Sequence, residues 1–158
     1  MRLLRAQKGK LVFSLKRAEQ KVFLEVLELY PLVPGAHQSL SKTLQGQQGL
    51  EAQQLLNEAL AEHRASNKLE LDQWLTTPSR FRVTKTGCTM VVPLDNVEWL
   101  LQILNDIRVG SWLLLGSPED HLEPEEIEPA LRPLWAAMEL CGLFQTVLLH
   151  GADQASPN

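Results

Sequence analysis

Apolar positions along the chain change their period several times, and each change marks an element. From Leu94 to Gly116 (LDNVEWLLQILNDIRVGSWLLLG), Val97, Leu100, Leu101, Leu104, Ile107, Ser111, Leu114 and Leu115 recur at helical spacing on one face. Asp95 precedes this run and Glu98 follows it closely, so a capped helix start is expected there. Gly116 supplies the stop. The opposite face is polar at Glu98, Gln102, Asn105 and Asp106 and turns apolar at Val109, Trp112 and Leu113. A helix apolar all round in its second half is expected to be buried on several sides, as the central helix of a domain.

The rest of the chain divides in the same way. Lys10–Ser14 (KLVFS) reads as a short strand, followed by a helix over Lys16–Tyr30 whose inner face is Val22, Phe23, Val26, Leu27 and Tyr30. Pro31, Pro34 and Gly35 end that helix. A Ser- and Gln-rich linker over Ala36–Gly49, with one short helical turn around Ser39–Leu44, leads into a long helix over Leu50–Leu75. The stripe of that helix is Ala52, Leu56, Ala59, Leu60, Leu71 and Trp74, interrupted by His63 and Asn67. A bend or break near Ser66 and Asn67 accounts for the interruption, and a ligand-facing site is the other reading. Arg80–Thr86 alternates like a half-exposed strand, Gly87 permits a turn, and Cys88–Pro93 returns. Ala130–His150 is a helix apolar on most of its circumference, with Arg132, Glu139 and Thr146 as a narrow polar line. The final octet, GADQASPN, lacks apolar residues to order it and is expected to be a flexible tail over 151–158. The predicted fold is therefore mainly α, about four helices with a small antiparallel sheet made of the N-terminal strand plus the hairpin, in a single domain over 1–150.

Composition changes this picture little. At 158 residues and 44% apolar content the chain can bury a core without a metal or disulfide. Cys88 and Cys141 are far apart in sequence, so reduced packed thiols in a cytoplasmic protein are expected. The basic start MRLLRAQKGKLVF lacks the apolar core and cleavage site of a secretory leader, and no stretch has the length of a membrane span. Charge is more informative in its distribution than in its net value of −4. Residues 1–21 carry seven bases against Glu19 alone, whereas residues 117–129 carry six carboxylates and no base. The two segments are free to attract each other within a chain or between two chains, or to remain solvated.

Chemistry is conspicuous by its scarcity. His37, His63, His121 and His150 stand apart, and the pairing of His121 with Glu125 falls in a proline-broken acidic loop, so no metal site is expected. There is no GxSxG elbow, no P-loop and no GxGxxG, so neither a nucleotide nor any other cofactor is expected. Arg108 stands out because it lies on the edge of the apolar stripe, where an unpaired guanidinium costs several kcal/mol. A structural network of Arg108 with Asn105 and Asp106 is the plainer reading, and a ligand or partner carboxylate held by Arg108 is the other. Trp99 sits beside Glu98 on the wetter side of the helix, either as a contact patch or half-buried under the acidic loop.

The run LLQILNDIRVGSWLLLG resembles the hallmark helix of an uncharacterised family of small bacterial proteins, mainly actinobacterial, with an LNDLR-type segment and a Leu-Gly stop. Leu104, Asn105, Asp106, Ile107, Arg108, Leu115 and Gly116 match, and the opening KLVFSLKRAEQKVFLEVLEL is similar in kind. Trp112 stands where the family pattern has a small residue. The resemblance implies no activity. Because members of the family lie near protease-adaptor genes, it implies a protein partner.

The expectation is a cytoplasmic, non-enzymatic protein-interaction or regulatory module that dimerises with a second copy through its last helix. The rival is a small-molecule binding protein or hydrolase with a pocket built from His63, Asn67, Asn105, Asp106 and Arg108. Nucleic acid is not an expected partner. A DNA-binding role would require Arg2, Arg5, Lys8 and Lys10 to share one exposed face.

Overall fold

The computed structural model describes residues 1–7, 9–33, 47–119 and 123–155. The short turn expected around Ser39–Leu44, together with Lys8, His37 and His121, lies outside them. Among the described residues the strands and α-helices follow in order as β1 (Arg2–Gln7), β2 (Lys10–Lys16), α1 (Arg17–Glu28), α2 (Gln47–Thr76), β3 (Phe81–Val83), β4 (Gly87–Pro93), α3 (Val97–Leu114) and α4 (Arg132–Ala155). The strands form one antiparallel sheet in the order β1-β2-β4-β3. The mainly helical fold with a small antiparallel sheet is as expected, except that the sheet has a fourth strand. Between Leu3 and Arg5 the β1–β2 register shifts, so the alternation that would have marked β1 as a strand is interrupted.

The sheet is covered on one side. Leu11, Phe13 and Leu15 of β2 alternate with half-buried Val12 and Ser14, and their cross-strand partners Val92, Met90 and Cys88 are buried as well. Onto this face pack α1 and α4, and α3 packs on α4 in the most extensive helix–helix contact. Phe23 of α1 meets Phe144 of α4 edge-on at 4.9 Å between ring centroids, which closes the layer. Leu100, Ile103, Leu104 and Ile107 make α3 the inner helix.

Several local expectations are corrected. Leu94–Asn96 is a 3₁₀ turn, and the N-cap of α3 is Asn96 with no side-chain hydrogen bond, so Asp95 does not cap the helix. The second half of α3 is not buried all round, because Trp112 is 38% and Leu114 46% exposed. Its stop is as expected: Gly116 is left-handed at φ 88°, its N–H donates to the Leu113 carbonyl, and that of Ser117 donates to Trp112, the pattern of a Schellman cap. Helix α2 runs unbroken through Ser66 and Asn67, and only its C-terminal part, at Asn67, Leu71 and Trp74, is buried. The chain beyond His150 is not a tail as far as it is described. α4 continues to Ala155 because Gly151 is buried where a β-carbon would touch Leu11 at 3.0 Å and Leu3 at 3.3 Å, so close helix–sheet packing orders it.

Two glycines separate packing from backbone effects. A β-carbon on Gly87 would fall on the Leu15 carbonyl oxygen, in the β2–β4 ladder, whereas one on Gly116 meets nothing within 4 Å. Urea unfolding of Gly87→Ala should show a loss of about 3 kcal/mol through overpacking against backbone. Gly116→Ala should lose only about 1 kcal/mol, the cost of the left-handed conformation.

Candidate interaction site

The polar residues of α3 divide according to their angle around the helix. Asp106 and Gly110, one turn apart, face the chain that leaves α1. The Asp106 carboxylate accepts from the backbone N–H of Leu32 at 2.7 Å and of Val33 at 3.1 Å through Oδ1, and its Oδ2 lies 3.9 Å from Nε of Arg64 on α2. Gly110 lets the two backbones approach, since a β-carbon there would lie 2.6 Å from the Leu32 carbonyl carbon. Two backbone amides of the chain after α1 thus find a charged acceptor in a half-buried setting, where such bonds are stronger than neutral ones. Asp106 is a clamp for this chain's own backbone.

Beside the clamp, Asn67 is buried, its amide nitrogen is 3.2 Å from His63 Nε2, and its side chain hydrogen-bonds with the Tyr30 phenol. Burial pushes the Tyr30 hydroxyl above its ordinary range, opposed by that hydrogen bond. Asn67 therefore ties α2 to the end of α1, and His63, itself exposed, bonds to Asn67 within α2. Tyr30 and Arg64 belong to this network although they were not among the expected polar residues. The legible signal was the pair Asp106 and Gly110, an acid followed one turn later by the only glycine within α3.

Asn105 and Arg108 point elsewhere. Both are exposed and line an open groove of about 510 Å³ between α3 and α4, with Glu98, Gln102, Gln145 and Thr146. The Gln145 amide donates to the Leu101 carbonyl at 3.3 Å across this groove. Arg108 is not embedded in the apolar stripe, and among the described residues it forms no ion pair. The five residues of the expected pocket do not converge: His63, Asn67 and Asp106 face the α1–α2 side, while Asn105 and Arg108 face α4. Trp99 is half-buried, with its ring 6.3 Å from that of Trp74, so it packs on the end of α2 and not as an exposed patch.

The other side of α4 is apolar. With α1 it forms a second groove of about 440 Å³, floored by Val22, Leu140, Phe144 and Val147. Leu143 on its rim is 62% exposed. A leucine this exposed beside an apolar furrow gives this surface the character of a contact face.

Covalent chemistry gains nothing from the thiols, for both are buried. Burial pushes Cys141 up to about 12 from 9.0, against the pull of the Arg108 cation, and raises Cys88 as well. Among the described residues no three His, Cys, Asp or Glu side chains gather as a metal site would require, and no helix is long and apolar enough to cross a membrane.

Denaturation should separate the clamp from the groove. Asp106→Ala is expected to lose about 3 kcal/mol, Asp106→Asn roughly half of that because an amide oxygen still accepts, and Arg108→Ala less than about 0.5 kcal/mol. Iodoacetamide at mildly alkaline pH should label neither cysteine until the chain unfolds. Because the folded Cys141 thiol titrates near 12 against 9.0 for the free group, the native chain holds its proton longer. Stability is therefore complete below about pH 9 and declines as pH rises toward 12, as alkaline melts would show. Comparison with protein-family models, with curated proteins and with solved structures finds no match to this chain.

Proposed function

We propose that this chain is a non-enzymatic protein-interaction module that pairs with a second copy through α4. The reading takes the protein to be cytoplasmic and bacterial and to need no cofactor, in keeping with the resemblance of its Leu104–Arg108 segment to the LNDLR-type family. The observation that carries it is the exposed Leu143 beside the Val22–Val147 furrow. An isologous pair presents the same patch twice, and a ridge next to a furrow is the shape that complements itself: Leu143 of each copy enters the furrow of the other. The charges at its edge, the Met1 ammonium and Glu19, already pair with each other at 2.8 Å, and the rest of the lining is uncharged, so desolvating the patch is inexpensive.

A second reading, a small anionic ligand held in the α3–α4 groove, is supported by the absence of an ion-pair partner for Arg108 among the described residues. It loses His63, Asn67 and Asp106 as contributors, and with them most of the polar groups that would fix a ligand's orientation.

Sedimentation equilibrium tests the first reading. The intact chain should form dimers, and Leu143→Glu should weaken them about 100-fold, equivalent to ~3 kcal/mol, by placing a charge in each furrow. A strict monomer at high micromolar concentration removes the α4 pairing.

A further inference from the structure

The uncovered face of the sheet has a regular layout. Across the strands, one row reads Arg2, Ser14, Thr89, Arg82 and the next Arg5, Val12, Val91, Arg80. Each row begins and ends on an arginine and is small and uncharged in the middle. The strands of the two edges stand three inter-strand spacings apart, about 14 Å. Between them lies a trough of about 600 Å³ to which Arg5, Lys10, Arg80 and Arg82 contribute and no carboxylate does. None of these four cations forms an ion pair among the described residues. Arg80 is held by packing: its guanidinium carbon lies 5.7 Å from the Trp74 ring centroid, and its buried Nε has no acceptor.

We infer that this trough binds an extended, acidic polypeptide segment of a protein partner, an inference that rests on the interaction-module reading and names the chemistry of a partner other than the second copy. Charge complementarity selects an anion, because like charges crowded without counter-charges favour a polyanionic occupant. Spacing selects the kind. Arg80, which continues the β3–β4 ladder just before β3, and Arg82 are two residues apart, a spacing of about 6.7 Å in extended backbone, and alternate carboxylates of an extended chain repeat at the same distance. Arginine pairs with each through two parallel hydrogen bonds. The side chains between the acids point to the other side of an extended chain, away from the sheet, and the small floor of Val12, Val91 and Thr89 leaves room for its backbone.

Of the four bases that a nucleic-acid role would require on one face, Arg2, Arg5 and Lys10 share it, and Lys8 lies outside the described residues. The residues lining the trough nevertheless include no aromatic ring, and sheet surfaces that hold single strands stack bases on aromatics. A trough about 14 Å across is also narrower than a duplex.

Fluorescence anisotropy with the intact chain decides the matter, using a labelled peptide alternating glutamate with threonine, its glutamine–threonine counterpart and poly-uridylate. The glutamate peptide should bind with an affinity that falls as salt rises, and the neutral peptide should not. Arg5 and Arg82 are exposed, so the Arg5→Gln, Arg82→Gln double variant should melt with the parent while binding about 100-fold more weakly, tenfold for each arginine. No binding at low salt, binding that survives the double substitution, equal binding of the neutral peptide, or preferential binding of poly-uridylate each overturns the inference. Failure here leaves dimerisation unaffected, and Leu143→Glu should bind the peptide as the parent does.

Discussion

The helices stand on one side of a four-stranded sheet, and most of the architecture follows from that asymmetry. A strand covered on one face must alternate, so β2 and β4 commit Leu11, Phe13, Leu15, Met90 and Val92 to the interior and leave the other side to water. Register then decides everything on the outer face. Because β1 carries a bulge, Arg2 and Arg5 both land on the solvent side, opposite Arg82 and Arg80 on the far edge. The basic character of the opening segment becomes a patterned surface through strand pairing.

Within the helical layer, close backbone approach has the corresponding role. Gly110 brings the chain after α1 against α3, Gly151 brings α4 against β2, and Gly87 brings β4 against β2. Each contact removes a side chain so that two backbones or a backbone and a core residue can meet. Asp106 completes the first of them by accepting from the Leu32 and Val33 amides, which lie outside any helix or strand ladder. Helix α4 is inserted between α3, α1 and the sheet, and its remaining apolar residues, Leu143 foremost, look outward beside α1.

Legibility of the candidate site was uneven for a geometric reason. Asn105, Asp106 and Arg108 read as one polar cluster in sequence, but a helix turns about 100° per residue. Asn105 and Arg108 therefore share a face while Asp106 shares one with Gly110, and the cluster separates into an α4-facing pair and a backbone clamp. The interruption of the α2 stripe at His63 and Asn67 was visible, but its meaning was not, because the partner that resolves it, Tyr30, comes from another helix. Trp99 looked like a surface residue on its own helix and is half-buried only because Trp74 arrives from α2.

What the amino-acid order determined by itself was local: the helical periods of α1, α3 and α4, the alternation of β2 and β4, the Gly116 stop and the segregation of bases from acids. These depend on side-chain spacing and backbone preference over a few residues, which a sequence displays directly. Tertiary structure alone decided that β1 joins the sheet, that α4 stays helical past Gly151, and that Asp106 holds backbone while Arg108 faces a groove. Each of those outcomes depends on a partner far away in the chain, and burial is a property of the assembled pair, absent from either segment alone.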